Sequence, residues 1–297
     1  MAALAFVGLG VMGFPMAGHL AGAGHALRVF NRDTAKSARW AATHRGTVAA
    51  SAAEAARGAG AVFLCLGNDD SVRSVVLGEG GLLQAMAPGA VLVDHTTASA
   101  ALARELAAAC AARGVGWVDA PVSGGQAGAE NGKLTIMCGG EAAHFADVET
   151  FLACYSRCAR LLGPAGAGQL AKMVNQVCIA GVVQGLAEGL HFARAAGLDG
   201  LAVIDVIRQG AAQSWQMENR HSSMLEGRYD FGFAVDWMRK DLGIVQDEAR
   251  RNGASLPLVA LVDQFYAELQ SMGGGRWDTS SLLARLERNQ SAGSDPA

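Results

Sequence analysis

A lysine and two amides lie at helical spacing in an otherwise apolar stretch of the chain. Lys172, Asn175 and Gln176 occupy positions i, i+3 and i+4, so on an α-helix their side chains share one face. An ammonium kept partly from water gives up its proton more readily, which makes Lys172 a candidate proton donor or acceptor. In the alternative interpretation, Lys172 extends its ammonium into solvent along a helix surface.

A glycine-rich segment near the start of the chain has the pattern G-x-G-x-x-G. It follows a predicted strand and opens a predicted helix, the setting in which this pattern binds a dinucleotide. The N–H groups at the helix start favour phosphate. In the alternative interpretation it is a glycine-rich turn without a ligand. The predicted cofactor contacts in this loop are Gly8, Leu9, Gly10, Val11, Met12 and Gly13.

Asn31 and Arg32 directly follow the second predicted strand, where an NAD-binding domain usually has an acidic residue for the ribose. A carboxylate there repels a 2′-phosphate, whereas Asn31 is neutral and Arg32 offers a planar set of donors that suits phosphate. We therefore predict NADP as the cofactor, contacted by both residues, with NAD less favoured. In the alternative interpretation Arg32 is a solvated surface residue and Asp33 binds the ribose.

A turn with one proline and two glycines, residues 119–125, follows another predicted strand. Its backbone N–H groups at Ser123, Gly124 and Gly125 can hold an anion. The alternative interpretation is a structural turn without a ligand.

The elements that position these residues change in character along the chain. Short apolar runs alternate with helical patterns up to residue 163, which predicts a doubly wound, mostly parallel Rossmann sheet. Beyond the 163–166 turn only helices are expected, and the first of them is unusually long. We predict an NAD(P)-binding domain at 1–163 and an all-α domain at 164–297, joined through that long helix. The predicted strands are 3–7, 26–30, 61–66, 90–94, 116–119, 134–138 and 159–162; the predicted helices are 168–196, 201–209, 213–226, 233–252 and 257–271, with a frayed polar tail at 289–297.

Composition excludes several classes of function. The net charge is −3 and the chain has no run of Lys or Arg, so we expect no nucleic-acid or membrane partner. The six cysteines form no C-x-x-C pair, which favours buried thiols in a reducing compartment over a metal site. The first ten residues lack a basic leader and 177–190 is too short for a membrane span, so we predict a cytoplasmic protein.

Together these motifs resemble those of the β-hydroxyacid dehydrogenase family, which includes 3-hydroxyisobutyrate dehydrogenase and tartronate semialdehyde reductase. The similar segments occur in family order and at family spacing across nearly the whole chain: 8–13, 119–125, 132–140, 166–176 and 240–242.

The resemblance implies a role for each matched residue. Lys172 is then the catalytic lysine, Asn175 helps to hold the substrate, and Gln176 stands where many members have a second asparagine. Ser123, Gly124 and Gly125 anchor the acid group. The cofactor contacts that the resemblance adds are Leu66, Gly67, Ser71, Thr97 and Lys240.

The chain departs from the family pattern at two places. Gly67 replaces the usual proline, and His95 with Thr96 replaces a small-residue pair, so the nicotinamide edge differs from that of typical members. His95 is either a substrate contact or, in the preferred interpretation, a histidine packed beside a strand end.

The predicted activity is hydride transfer between NADP and a small aldehyde or ketone that bears a carboxylate, phosphonate or sulfonate, with Lys172 handling the proton. The alternatives are an imine reductase-like enzyme, which usually lacks this lysine, and a catalytically silent NADPH-binding protein. By resemblance we expect a homodimer or homotetramer formed through the helical domain.

Overall fold

The computed structural model describes residues 2–292. A frayed polar tail was expected at 289–297, and its residues 293–297 lie outside the described residues. The chain divides into two compact units, Met1–Lys172 and Met173–Ala297; the domain boundary predicted at 163/164 lies before this division.

The first unit is built on a largely parallel sheet. Its strands run in the spatial order β3-β2-β1-β4-β5-β6, all parallel, and then β8, which is antiparallel to β6. The order reverses between β1 and β4, and a dinucleotide binds at the carboxyl ends of such strands. The strands are β1 (Ala3–Val7), β2 (Ala26–Phe30), β3 (Thr47–Val48), β4 (Ala61–Leu64), β5 (Val91–Asp94), β6 (Gly116–Asp119), β7 (Val122–Ser123), β8 (Leu134–Gly140) and β9 (Ser156–Leu161).

Helices cover both faces of this sheet, as the alternating pattern predicts. The helices of the first unit are α1 (Gly13–Gly22), α2 (Thr34–Thr43), α3 (Ala52–Ala56), α4 (Asp69–Leu77), α5 (Leu82–Ala85), α6 (Ala100–Ala111), α7 (Gly125–Glu130) and α8 (Ala142–Leu152). Alternate residues of β1 enter two separate cores: Leu4 and Phe6 pack on one face, and Ala5 and Val7 on the other. The Rossmann prediction is therefore confirmed.

The predicted strands needed five corrections at their ends and two additions. Strand β4 ends at Leu64 instead of 66, β5 begins at Val91 instead of 90, β8 runs on to Gly140, and β9 spans Ser156–Leu161 instead of 159–162. Strands β3 and β7 were not predicted, because two residues carry no readable alternation.

The long helix α9 (Ala167–Ala195) begins in the first unit and continues into the second, which is helical as predicted. The helices that follow are α10 (Gly200–Ile207), α11 (Trp215–Leu225), α12 (Val235–Asn252), α13 (Pro257–Ser271) and α14 (Leu282–Ala292), with 3-10 turns at Gly274–Arg276 and Thr279–Ser281. Helix α14 was not predicted. Arg239 on α12 joins α13 through a two-point ion pair with Asp263, at 3.0 and 3.2 Å.

By length and composition alone, α9 could cross a membrane, a test that core helices of water-soluble proteins also pass. In its apolar 18-residue window, 44% of the residues are buried. The expectation that α9 spans no membrane stays a prediction.

Candidate active site

The glycine-rich loop connects β1 to α1 at the carboxyl edge of the sheet. Gly8 has φ +98°, and a Cβ there would overlap the carbonyl group of Cys65. A Cβ on Gly13 would overlap the Gly8 carbonyl group, so the third glycine lets α1 lie close to the strand. A Cβ on Gly10 would meet no atom of residues 2–292 within 4 Å. The loop therefore has the steric features that a pyrophosphate needs: a tight turn, open space above Gly10 and a helix start.

Asn31, at the end of β2, supports this loop. Its Oδ1 accepts a hydrogen bond of 2.8 Å from the Leu9 N–H group, and its Nδ2 donates to the Asp33 carbonyl oxygen at 3.0 Å. The Asp33 carboxylate accepts from the Ala35 N–H group at 3.0 Å and so caps α2. Arg32 is exposed between them. This cap uses Asp33 Oδ1, and the interpretation in which Asp33 binds the ribose stays an open alternative.

Two further loops meet this edge after β4 and β5. The Leu66 N–H group donates to Thr96 Oγ1 at 2.9 Å, which joins the two loops. Ser71 lies in the first turn of α4, where its N–H group is capped by Asn68 Oδ1 at 2.9 Å. Thr97 lies in the β5 loop, and Gly67 in the β4 loop is half-buried. The predicted cofactor contacts of the first unit thus lie just beyond the carboxyl ends of four neighbouring strands, β2, β1, β4 and β5.

His95 lies inside the protein, packed as the preferred interpretation has it. It is 2% exposed, its Nδ1 donates to the Ala120 carbonyl oxygen at 2.7 Å, and its Nε2 accepts from the Tyr155 hydroxyl at 2.9 Å. The ring also stacks on Phe63. Burial lowers the pKa of His95 to about 4, so the imidazole is neutral at pH 7. The alternative of His95 as a substrate contact is not supported.

Residues 119–125 are more ordered than a simple turn. Strand β6 ends at Asp119, Val122 and Ser123 pair with β8, and α7 begins at Gly125. Gly124 and Gly125 have φ values of +129° and +62° and are exposed. Because both glycines use backbone conformations that other residues rarely adopt, their N–H groups reach directions that a regular strand does not offer. The acid-binding role of this segment stays a prediction.

The polar face of α9 has the predicted spacing, and its residues are held in place. Lys172 is 7% exposed, which argues against a lysine whose side chain lies along the surface in solvent. In the second unit, Asn175 Nδ2 donates to Gln176 Oε1 at 2.8 Å, and Gln176 Nε2 donates to Asp241 Oδ2 at 2.7 Å. Asp241 Oδ1 lies 3.0 Å from Lys240 Nζ.

Asp241 therefore connects two residues with separate predicted roles, Gln176 for the substrate and Lys240 for the cofactor. No role was predicted for Asp241 itself. A signal was present: on α12 it lies at the spacing of the apolar residues Met238, Leu242 and Val245, all of which are buried. An acid in such a stripe needs a polar partner.

Comparison with known proteins extends this picture to the whole chain. Residues 3–163 match the NAD binding domain of 6-phosphogluconate dehydrogenase, and residues 166–286 match the NAD-binding domain of NADP-dependent 3-hydroxyisobutyrate dehydrogenase. An NAD-dependent L-serine dehydrogenase of Pseudomonas aeruginosa is 35% identical over 98% of this chain and 99% of its own length. The chain belongs to the β-hydroxyacid dehydrogenase family.

Two more relatives show how fully this β-hydroxyacid dehydrogenase matches its family. An uncharacterized oxidoreductase of Shewanella frigidimarina is 65% identical over 98% of the chain and 100% of its own length. The solved structure of Mycobacterium tuberculosis 3-hydroxyisobutyrate dehydrogenase with L-serine has a TM-score of 0.87 and 32% identity, and covers 96% of this chain and 99% of its own. The protein is an NAD(P)-dependent oxidoreductase that acts on a CH–OH group, and the imine reductase and non-catalytic interpretations are set aside.

Proposed function

We propose that this dehydrogenase uses NADP and that Lys172 is the proton donor and acceptor for a small β-hydroxyacid or the corresponding acid-bearing aldehyde or ketone. The observation that carries the proposal is the position of Lys172. It is buried on α9, one helical turn beyond a segment fixed to the carboxyl ends of β5 and β6. Those strand ends belong to the edge where a Rossmann sheet binds its dinucleotide.

The nicotinamide, when bound, supplies the hydride chemistry. In the reductive direction the Lys172 ammonium donates a hydrogen bond to the carbonyl oxygen, stabilises the negative charge that develops there, and then transfers its proton. In the oxidative direction the same nitrogen takes the hydroxyl proton. Asn175, one turn along α9, orients the oxygen or the acid group, and the backbone of Ser123, Gly124 and Gly125 anchors the acid.

The substrate class follows from these two anchoring groups and from relatives. An acid two bonds from the reacting carbon places one end of the molecule at the glycine turn and the other at Lys172. L-serine, which appears in the names of two relatives, has this constitution. The acid is a carboxylate, phosphonate or sulfonate, and a turnover screen over small acid-bearing alcohols and carbonyl compounds identifies it.

The preference for NADP rests on the side chains around the end of β2. Arg32 is exposed there, and Asn31 is turned towards the loop, where it binds the Leu9 N–H group. Lys36 and Arg39 on α2 line a groove of about 470 Å³ together with Leu9, Gly10 and Val11 of the loop. Cations so close to the phosphate-binding loop favour a second phosphate on the ribose.

The cofactor test compares Arg32→Ala and Lys36→Ala with the wild type, using NADPH and NADH in parallel. Loss of one charge-assisted contact costs about 1.5–3 kcal/mol, or roughly ten- to a hundred-fold in affinity. We expect that loss for NADPH and little change for NADH. Equal weakening of both cofactors, or a wild-type preference for NADH, would refute the NADP assignment.

The catalytic test uses Lys172→Ala and Lys172→Arg. We expect kcat to fall by at least about a hundred-fold in both, with the NADPH dissociation constant nearly unchanged, because a positioned acid contributes about that much. Arginine keeps the charge but holds its proton too tightly to act as an acid. Near-normal turnover of either variant would show that the proton comes from another group.

We also propose that the protein is a cytoplasmic homodimer or homotetramer, without a nucleic-acid or membrane partner. The support for an oligomer lies in the second unit, where large apolar side chains are exposed in this single chain: Phe192 on α9 and Val206 on α10 are 71% and 72% exposed. Such apolar surface is typical of subunit interfaces. Light scattering of the wild type and of Phe192→Asp tests this, and a monomeric wild type contradicts it.

A further inference from the structure

The first turn of α9 is tied to the ends of β5 and β6 by hydrogen bonds. Asp119 Oδ1 accepts from the Gly166 N–H group at 2.8 Å, and Oδ2 accepts from the Gln169 N–H group at 3.0 Å. The side-chain amide of Gln169 makes two more bonds. Its Nε2 donates to the Thr96 carbonyl oxygen at 2.8 Å, and its Oε1 accepts from the Ala98 N–H group at 3.0 Å.

Gln169 is 1% exposed, so water does not compete for these bonds. Close packing of the neighbouring residue, Gly168, also restricts movement at the start of α9. A Cβ on Gly168 would lie 2.6 Å from the Asp119 carbonyl oxygen and still closer to that of Met137. The start of α9 therefore has little freedom to shift against β6 and β8.

The loop that Gln169 binds, Thr96–Ala98, is itself fixed by further hydrogen bonds. Thr96 receives the Leu66 N–H group on its hydroxyl, and its own N–H group donates to Asp94 Oδ1 at 2.9 Å. Ser99 donates to both carboxylate oxygens of Asp69, from its N–H group at 3.0 Å and from its hydroxyl at 2.5 Å. Thr97, a predicted cofactor contact, lies between the two residues that Gln169 binds.

Asp119 already satisfies N–H groups at the start of α9, so the side chain of Gln169 is not needed as a cap. Its two bonds instead join the helix to the loop. Lys172 follows three residues later, which on an α-helix is a rise of about 4.5 Å and a rotation of about 60° from Gln169. One amide thus connects the loop at the cofactor edge to the helical turn that carries the lysine.

We propose that Gln169 is a positioning residue for the reaction. It holds the Thr96–Ala98 loop against the first turn of α9, so that the cofactor-side loop and the Lys172 ammonium keep a fixed separation. The inference rests on the proposed role of Lys172 and adds the device that sets its position. Since a misplacement of about 1 Å can cost a hundred-fold in rate, such a tie affects turnover more than binding.

The test uses Gln169→Leu, which keeps most of the volume and removes both side-chain hydrogen bonds. The probe is 3-hydroxyisobutyrate or L-serine, whichever the wild type oxidises faster, with and without deuterium at the carbinol carbon. We expect kcat to fall about ten- to a hundred-fold and the NADP dissociation constant to change less than about three-fold. We also expect a larger deuterium isotope effect on kcat, because the chemical step becomes slower. A purely structural role would reduce the amount of active enzyme without changing the isotope effect.

A double-mutant cycle with Lys172→Ala tests whether Gln169 acts through the lysine. If it does, Gln169→Leu lowers kcat little further once Lys172 is gone. The matched control is Gln184→Leu, a buried glutamine on the same helix whose Nε2 binds Glu188, and kcat should not change. Should Gln169→Leu melt too low to assay, Gln169→Met also lacks both hydrogen bonds, follows the unbranched shape of the glutamine side chain, and gives the same comparison.

The outcomes separate this inference from the proposed function. An unchanged isotope effect, or an equal loss of kcat with and without Lys172, overturns the role of Gln169 and leaves the catalytic lysine in place. Near-normal turnover of Lys172→Ala overturns the proposed function and this inference with it.

Discussion

Asp94 ends β5 as a buried carboxyl group, and its replacement by asparagine should change how stability depends on pH. The side chain is 1% exposed, has the Thr96 side chain as one hydrogen-bond partner, and accepts a hydrogen bond, 2.9 Å long, from the Thr96 N–H group. Burial raises the pKa of Asp94 to about 7, and the negative charge of Asp119 adds to the rise. An asparagine can accept the same bond through its own Oδ1, so Asp94→Asn removes the titration and keeps the contact.

The sign and size follow from proton linkage. Because the pKa is higher in the folded state than the value of about 3.9 in the unfolded chain, the folded state binds the proton more tightly. The stabilisation is complete below about pH 4 and is lost as pH rises towards 7. A tenfold difference in proton affinity between the two states corresponds to about 1.4 kcal/mol. The free energy of unfolding of the wild type therefore falls by about 2–3 kcal/mol between pH 5 and pH 8 because of Asp94. Asp94→Asn avoids this fall.

The assay is urea unfolding of wild type and Asp94→Asn at pH 5, 6, 7 and 8. The difference in unfolding free energy should move in favour of the variant by about 2–3 kcal/mol across this range. The titration of His95 is present in both proteins and cancels. Asp70→Asn is the control, since the Asp70 side chain is 95% exposed and its difference from wild type should stay flat. A flat difference for Asp94→Asn as well would refute a raised pKa.

Four substitutions test the three glycines described above and one further feature of the second unit, the ion pair of Asp278 with Arg220. Gly8→Ala should lower both stability and cofactor affinity, because the added Cβ would overlap the carbonyl group of Cys65 and φ is +98°. Gly10→Ala should leave the melting temperature unchanged and still weaken NADPH binding at least about ten-fold, as measured by calorimetry. Gly168→Ala should lower both melting temperature and kcat, because the added methyl group pushes the first turn of α9 off β6. Asp278→Ala should cost about 3–5 kcal/mol in urea unfolding, because Arg220, 3.2 Å away, loses its buried partner; a loss below about 1 kcal/mol contradicts this.

Much of the fold was predictable because its signals are local. The glycine-rich loop is recognisable from the spacing of its own glycines, one of which, Gly13, packs on Gly8 within the loop. Helix α9 was predicted at 168–196 against Ala167–Ala195 in the structure. The helical spacing of Lys172, Asn175 and Gln176 needs only the helix itself. These features depend on backbone geometry that neighbouring residues determine.

Features that depend on distant residues were not predictable. Asp119 binds Gly166 and Gln169, 47 and 50 positions away, and Gln169 reaches Thr96 across 73. A single sequence contains no signal for such pairings. His95 is similar, because its polar partners Ala120 and Tyr155 come from other elements of the sheet layer.

The long-range bonds of Asp119 also bear on where this chain can be cut. A chain ending at residue 163, where the strand pattern stops, would retain the carboxylate and lose its donors at Gly166 and Gln169. Without that segment the carboxylate would lose both donors and the packing of Gly168 against it, so the end of β6 would be exposed to water. A chain ending at 172 keeps both donors and the hydrogen bond from Gln169 to Thr96. The nucleotide-binding half is therefore separable only if it takes the first turn and a half of α9 with it.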